Sequence, residues 1–386
     1  MPPELHTQLY LELTLDEQDV IAGTRRHLAT TAGPQVLRDR ERDPQVVDRD
    51  WWRTGADLGW AAPLVPEDLG GGSVTGTPFR ELGLVAHEQG RTSASGPLVG
   101  VNAALAGLVA AAADGWEPGS LLDDVVAGTT VVMWAAGDGG ARWEPFAPRL
   151  QVARDGDHLV VDGAAAQVEV TGDPDLLLLS ATAGGVAVQL LVPTDAAGVT
   201  LEPLVGLDLA RRHARLVLDG VRLDARALVG EGAAAVAQAE RQWLTASALL
   251  AADSCGALSV GFEMTMEWVT HRHTFGRPLA SYQALKHRLA DIRMHLESAY
   301  AVTVAALEAL DAGSEEAAEL VHVAQAYVGE HAPGAFSEFV QLHGGIGVTW
   351  EHDLHVHLRR VIANAAVHGA PADHQRRLAG AVLKEG

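Results

Sequence analysis

The chain has 386 residues, with 50 acidic against 28 basic side chains and a formal charge of −22; it is long enough for about two or three domains and lacks the basic face that nonspecific nucleic-acid binding requires. Its hydrophobic content of 48% fits a soluble globular protein, and the Ala-rich run Leu105–Ala113 falls far short of the roughly 18 apolar residues of a membrane span. A single cysteine, Cys255, excludes an intramolecular disulfide; the opening MPPELHTQLY has no basic-then-apolar export pattern, so a cytoplasmic location is expected.

Thr14 followed by Glu17 reads as an N-cap with its capping-box partner. Helical spacing continues through Trp51–Leu58, and Gly59–Gly72 is a Pro/Gly loop. Helices Glu81–Gln89 and Asn102–Ala113 complete an all-helical first domain, residues 1–128. From about Thr129 the period becomes two. Thr130–Met133, His158–Asp162, Leu176–Ser180, Val186–Val192 and Arg215–Leu218 are expected strands, joined by Asp-Gly, Gly-Asp and Gly-Gly turns, in a small barrel or sandwich at 129–233. Helical spacing returns at about Ala234 and fills 234–386 through Gln283–Ala312, Glu315–Gly329, Ala332–Leu342 and His374–Leu383, a helical bundle. The expected class is α+β, mainly α, with a β-domain between two helical domains.

The stretch from Ala246 to Gln283 carries the chemistry. A long small-residue helix runs into His271-Arg272-His273-Thr274-Phe275-Gly276, where Gly276 and Pro278 break it. Arg272 offers a bidentate fork for phosphate ahead of a Phe-Gly pair that reads as buried, and Gln283 opens the next helix, whose N-terminus exposes amide donors. Arg272-x-x-Phe275-Gly276-Arg277-x-Leu279-x-x-x-Gln283-Ala284, together with the later Gln341-Leu-His-Gly344-Gly345-Ile-Gly-Val-Thr-Trp350-Glu-His352, resembles the flavin clamp of the acyl-CoA dehydrogenase family. The loop at Gly59–Gly72 and the Glu81–Arg91 helix end are similar to the family's as well, and the C-terminal helices to its four-helix bundle.

The resemblance implies FAD bound across a subunit interface by Arg272, Thr274, Phe275, Gln283, Gln341, Gly344 and Gly345. It implies an acyl-CoA or related thioester as substrate, an electron-transfer flavoprotein as acceptor, and a homo- or hetero-oligomer built as a dimer of dimers. Family members take the α-proton with a glutamate in a dry site beside the flavin. Here the family's two glutamate positions fall on His368-Gly369 and on Ala246. Asp253, in Ala251-Ala252-Asp253-Ser254-Cys255-Gly256, is the one carboxylate at a candidate position, either a base or a buried acid bonded to a neighbouring helix or an arginine. His368 is the other candidate, as a neutral imidazole.

A second departure lies in Val132–Gly140, which replaces the family's flavin-facing A-x-[TS]-E-P-x-x-G-S-D, and in Gly163–Val170, which lacks the aromatic that commonly flanks the ring. An intact nucleotide clamp beside weak ring motifs resembles the partner-type subunit of heteromeric acyl-CoA dehydrogenases of sterol-degrading actinobacteria. A self-sufficient homomer using Asp253, or a same-fold flavin enzyme of a biosynthetic pathway, stays open. Ala246 and Gly256 hint at room for a bulky group. The run Glu351–His357 puts its histidines at spacings that do not share a helix face, so no metal is expected. No G-x-G-x-x-G after a strand and no P-loop is present.

Overall fold

A computed structural model describes residues 13–41, 48–135 and 149–383. The first helix, α1 (Leu15–Thr31), starts on the expected capping box: the Thr14 hydroxyl accepts from the Glu17 amide, and the Glu17 carboxylate accepts from the Thr14 amide. Then come α2 (Pro34–Glu41), α3 (Arg49–Asp57), α4 (Pro78–Thr92), α5 (Leu98–Ala113) and α6 (Leu121–Val126).

The middle of the chain is β1 (Val132–Ala135), β2 (Gln151–Asp155), β3 (His158–Glu169), β4 (Leu176–Ala183), β5 (Val186–Pro193), β6 (Val199–Leu204), β7 (His213–Asp224) and β8 (Leu228–Glu231). They form one sheet in the order β6-β7-β3-β2-β4-β5-β8, with β1 added parallel to β4. The Gly184-Gly185 turn is read correctly from sequence. Both residues have positive φ, the backbone a two-residue hairpin loop demands, and Ala183 pairs with Val186 on either side. The strands β2, β6 and β8 were not expected. β6 is an edge strand whose residues are all exposed or half-exposed, and β2 buries only Val152, so neither shows a clear apolar alternation.

The third part holds α7 (Ala233–His271), a hairpin of β9 (His273–Thr274) and β10 (Arg277–Pro278), then α8 (Gln283–Asp311), α9 (Ala317–His343), α10 (Leu354–Asn364) and α11 (Pro371–Val382). The two segments expected at 315–329 and 332–342 are one helix, with Pro333 inside it. Proline removes one backbone hydrogen bond, but Val328, Ala332, Ala335 and Phe336 are buried around it and keep the helix continuous.

Helix α7, 39 residues long, passes through the two large hydrophobic cores. Its first half (Trp243, Leu249, Leu250) packs with α5 and the sheet; its second half (Leu258, Phe262) packs with α8 and α9. A buried reciprocal amide pair, Gln189 with Gln242 at 2.7 and 3.0 Å, joins β5 to this helix. Where α7 crosses α4 the backbones touch. A Cβ on Gly256 would overlap the His87 carbonyl, and one on Gly90 the Asp253 carbonyl. The small residue at 256 therefore makes room for a helix, not for a ligand. Gly256→Ala is expected to cost about 1–3 kcal/mol by overpacking, whereas Gly334→Ala, where a Cβ meets nothing, should be neutral or stabilise by up to about 1 kcal/mol. Urea unfolding of both variants checks the contrast.

Candidate cofactor and active site

The residues of the expected nucleotide clamp come together at one end of the helical bundle, on the surface. Trp268, one turn before Arg272, does the joining: its indole N–H donates to the Leu342 carbonyl at 3.2 Å, and its ring stacks on His343 at 5.2 Å. The Arg272 guanidinium lies 5.7 Å from the centre of the same indole. Arg272 on the α7 end is thereby held beside the α9 end, where Gln341 and Gly344-Gly345 are exposed. Gly344 adopts φ 67°, ψ −144°, a backbone only glycine holds without strain, and turns the chain out of α9.

The hairpin is fixed from the other side. The Tyr282 hydroxyl donates to the Thr274 carbonyl at 2.8 Å, the Arg277 guanidinium lies 3.9 Å from the Tyr282 ring centre, and Gln283 opens α8 in solvent. Phe275 is not buried, contrary to the expectation from its apolar ring; it is 98% exposed. It sits with Gly276 in the two-residue loop between β9 and β10, and both have positive φ, which points the ring away from the chain. From His271 to Ala290 there is no carboxylate. An arginine fork and the Gln283 carboxamide in such a stretch, with the Gln341 carboxamide and the open Gly344-Gly345 backbone at the end of α9, are a donor set that fits an anionic diphosphate and the polar edge of a nucleotide.

The candidate bases lie elsewhere, in the packed centre. Asp253 is buried and accepts Nε and Nη2 of Arg360 at 2.9 and 2.6 Å, and the Asn364 amide at 2.7 Å. This is the buried, paired alternative that the sequence left open. Burial pushes its pKa up, but the Arg360 charge and hydrogen bonds outweigh that and hold the carboxyl below its ordinary range. Arg360 also donates to the Ala94 carbonyl at 2.9 Å and lies 3.7 Å from Asp208. Beyond Asp208 come Arg211 at 3.7 Å and then Glu169 at 3.9 Å, all buried. Three acids and two arginines thus alternate through the seam between the β-domain and the helices.

His368 is buried with its ring 5.0 Å from that of Trp134, and its carbonyl accepts the Trp243 indole N–H at 2.7 Å. Burial, with smaller contributions from Arg211 and His213, pushes its pKa down to about 3, so it is a weak proton acceptor at neutral pH. Ala246 is fully buried. Where the resemblance puts the flavin ring and the base, this chain has Trp134 against His368 and Glu169 beside Arg211; the set does not fit a flavin ring as well as the clamp fits a nucleotide. The 136–140 part of the changed β-domain motif lies outside the described residues. Among the described residues no group of three or more histidine, cysteine, aspartate or glutamate side chains could hold a metal. Sequence reading missed Trp268 and His343 as the platform of the clamp, although the four-residue step from Trp268 to Arg272 places both on one helix face.

The N-terminal domain of the acyl-CoA dehydrogenase family matches residues 15–115 and its C-terminal domain residues 236–383. Acyl-CoA dehydrogenase IpdE2 of Mycobacterium tuberculosis is 30% identical over 352 residues, covering 91% of this chain and 92% of that one. Among solved structures, the Tcur3481-Tcur3483 steroid ACAD variant is 27% identical with a TM-score of 0.84, covering 96% of this chain and 98% of that one. The ChsE4-ChsE5 complex from Mycobacterium tuberculosis is 25% identical with a TM-score of 0.83, covering 97% and 99%.

Two stability measurements test this reading of the centre. Arg360→Met leaves Asp253 and Asp208 buried without their shared cation and is expected to cost about 3–5 kcal/mol in chemical unfolding; a loss below about 1 kcal/mol would contradict the assignment. Burial pushes His322 and His368 down to about 3 and His357 and His374 to about 4. The unfolded chain therefore binds these protons first. Stability is full above pH about 6.5 and falls as the pH drops toward 4, by up to about 1.4 kcal/mol per pH unit for each histidine. The urea midpoint should be clearly lower at pH 5.5 than at pH 7.5; equal midpoints would contradict it.

Proposed function

Because the chain belongs to the acyl-CoA dehydrogenase family, whose members use FAD to desaturate CoA thioesters, we propose that it acts as the companion-type subunit of such an enzyme. It grips the nucleotide end of a flavin whose ring and catalytic base belong to another chain. The observation that carries this reading is a contrast. The clamp is open, and its stretch from His271 to Ala290 is cationic and free of carboxylates, while Asp253 and His368 are buried, the first locked to Arg360.

In this reading Arg272 holds the diphosphate, Gln283 and Gln341 bond the nucleotide through their carboxamides, and the Gly344-Gly345 backbone lets it approach closely. Thr274 and Phe275 present the hairpin to the cofactor, and the exposed Phe275 ring is covered by the companion. When bound, FAD accepts the β-hydride of the acyl thioester as a base removes the α-proton; this chain supplies the grip and the fold around it. The solved structures named for a steroid ACAD and for a two-chain complex support a lipid- or sterol-derived thioester and a hetero-oligomer; in this reading the assembly is a dimer of dimers. Electrons then leave through an electron-transfer flavoprotein, and the assembly works in the cytoplasm.

Anaerobic mixing with acyl-CoA tests the division of labour. The lone chain should show no flavin bleaching and its assembly with the companion should show it. A lone chain that bleaches, and loses this in Asp253→Asn while FAD stays bound, would return the base to Asp253. Arg272→Ala should weaken FAD retention by the assembly at least about tenfold, the worth of one charged phosphate contact, with folding unchanged because the side chain is exposed; equilibrium dialysis measures it.

A further inference from the structure

One cavity, of about 750 Å³, has no role in the reading above. It lies between the loop after β3, the β6–β7 edge of the sheet and α2, and none of the clamp residues nor Asp253, Arg360 or His368 lines it. Its apolar wall is Leu37, Val170, Leu201, Leu204, Leu209 and Ala214. The size falls within the range of small-molecule sites.

Most polar groups on the wall are already engaged inside the protein. Ser95 donates to the Ala210 carbonyl at 2.6 Å, and Thr194 to the Pro174 carbonyl at 2.7 Å. Arg212 is paired with Asp173 at 2.7 Å, and Asp175 with Arg49 at 2.9 Å. Asp195 adds a carboxylate at the rim. His213 adds an imidazole whose buried Nε2 has no hydrogen-bond partner, and burial pushes its pKa down, which favours the neutral ring. Among the described residues the wall therefore offers a phosphate or a carboxylate no free guanidinium or ammonium, and its attraction is apolar burial beside one neutral hydrogen-bonding ring. At its edge the β6–β7 loop leaves Leu204 40%, Val205 106% and Leu207 47% exposed, an apolar lip.

We propose that this cavity binds an uncharged, predominantly apolar small molecule, which covers the lip as it fills the space. The floor residues Leu209 and Ala210 are followed directly by Arg211 of the buried charge network, so an occupant would rest on the seam between the sheet and the helices.

Titration of the full chain with Nile red, an uncharged apolar fluorophore, tests it. One probe should bind per chain, saturably. Leu201→Trp, which fills the cavity, should weaken binding at least about tenfold, while Val74→Trp, at an exposed position outside the wall, should not. Should Leu201→Trp lose its near-ultraviolet circular dichroism, Pro203→Trp on the exposed edge strand takes its place. Non-saturable binding, or wild-type affinity in the filled variant, would overturn the site. Tighter binding of anilinonaphthalene sulfonate than of Nile red would overturn the uncharged-ligand class. The readout involves neither FAD nor a companion chain, so it stands or falls apart from the proposed function.

Discussion

The guanidinium of Arg360 ties together three parts of the chain. It sits on α10, takes Asp253 of α7 in a two-pronged ion pair, donates to the Ala94 carbonyl after α4, and faces Asp208 of the loop into β7. With Arg211 and Glu169 beyond Asp208, two cations and three acids are buried here, which is unfavourable unless each charge is met, so this arrangement constrains how the helices and the sheet can dock. It also constrains chemistry. A carboxylate held by two guanidinium bonds and a carboxamide is a stabilised anion, with little tendency to take a proton from a substrate carbon.

The surface follows an opposite logic. Around Arg272 the cationic and amide groups point outward, and the structures that hold them there are aromatic: Trp268 under Arg272 and His343, and Tyr282 under Arg277. Phe275 is exposed at a turn with positive φ, a conformation that a bulky side chain adopts at some cost. Such features make sense on a face that a second polypeptide and a shared cofactor cover. The chain is thus closed at its centre and open at its edge.

Much of this was legible in the residues themselves, where the signal is local. Thr14 and Glu17 announce a helix start because the capping box spans only four residues, and Gly184-Gly185 announces a hairpin because only glycine takes both φ values easily. The residues proposed for the clamp were picked out through family motifs, and the structure brings Arg272 beside the end of α9. Less legible were features set by distant partners. Asp253 and Arg360 are 107 residues apart, so the sequence could offer an ion pair or a base without choosing. Gly256 looked like pocket space until α4 was seen crossing it. Phe275 looked like core because an aromatic side chain carries no mark of whether its cover comes from its own chain or another. The edge strand β6 lacks a buried face, and with it the alternation that reveals a strand.

The division between an inward-locked acid and an outward-facing clamp makes a countable statement about cofactor. Native mass spectrometry of the protein purified with its companion should find one FAD for every two chains, and none retained by this chain alone. A homomer of this chain carrying one FAD per subunit would contradict the account.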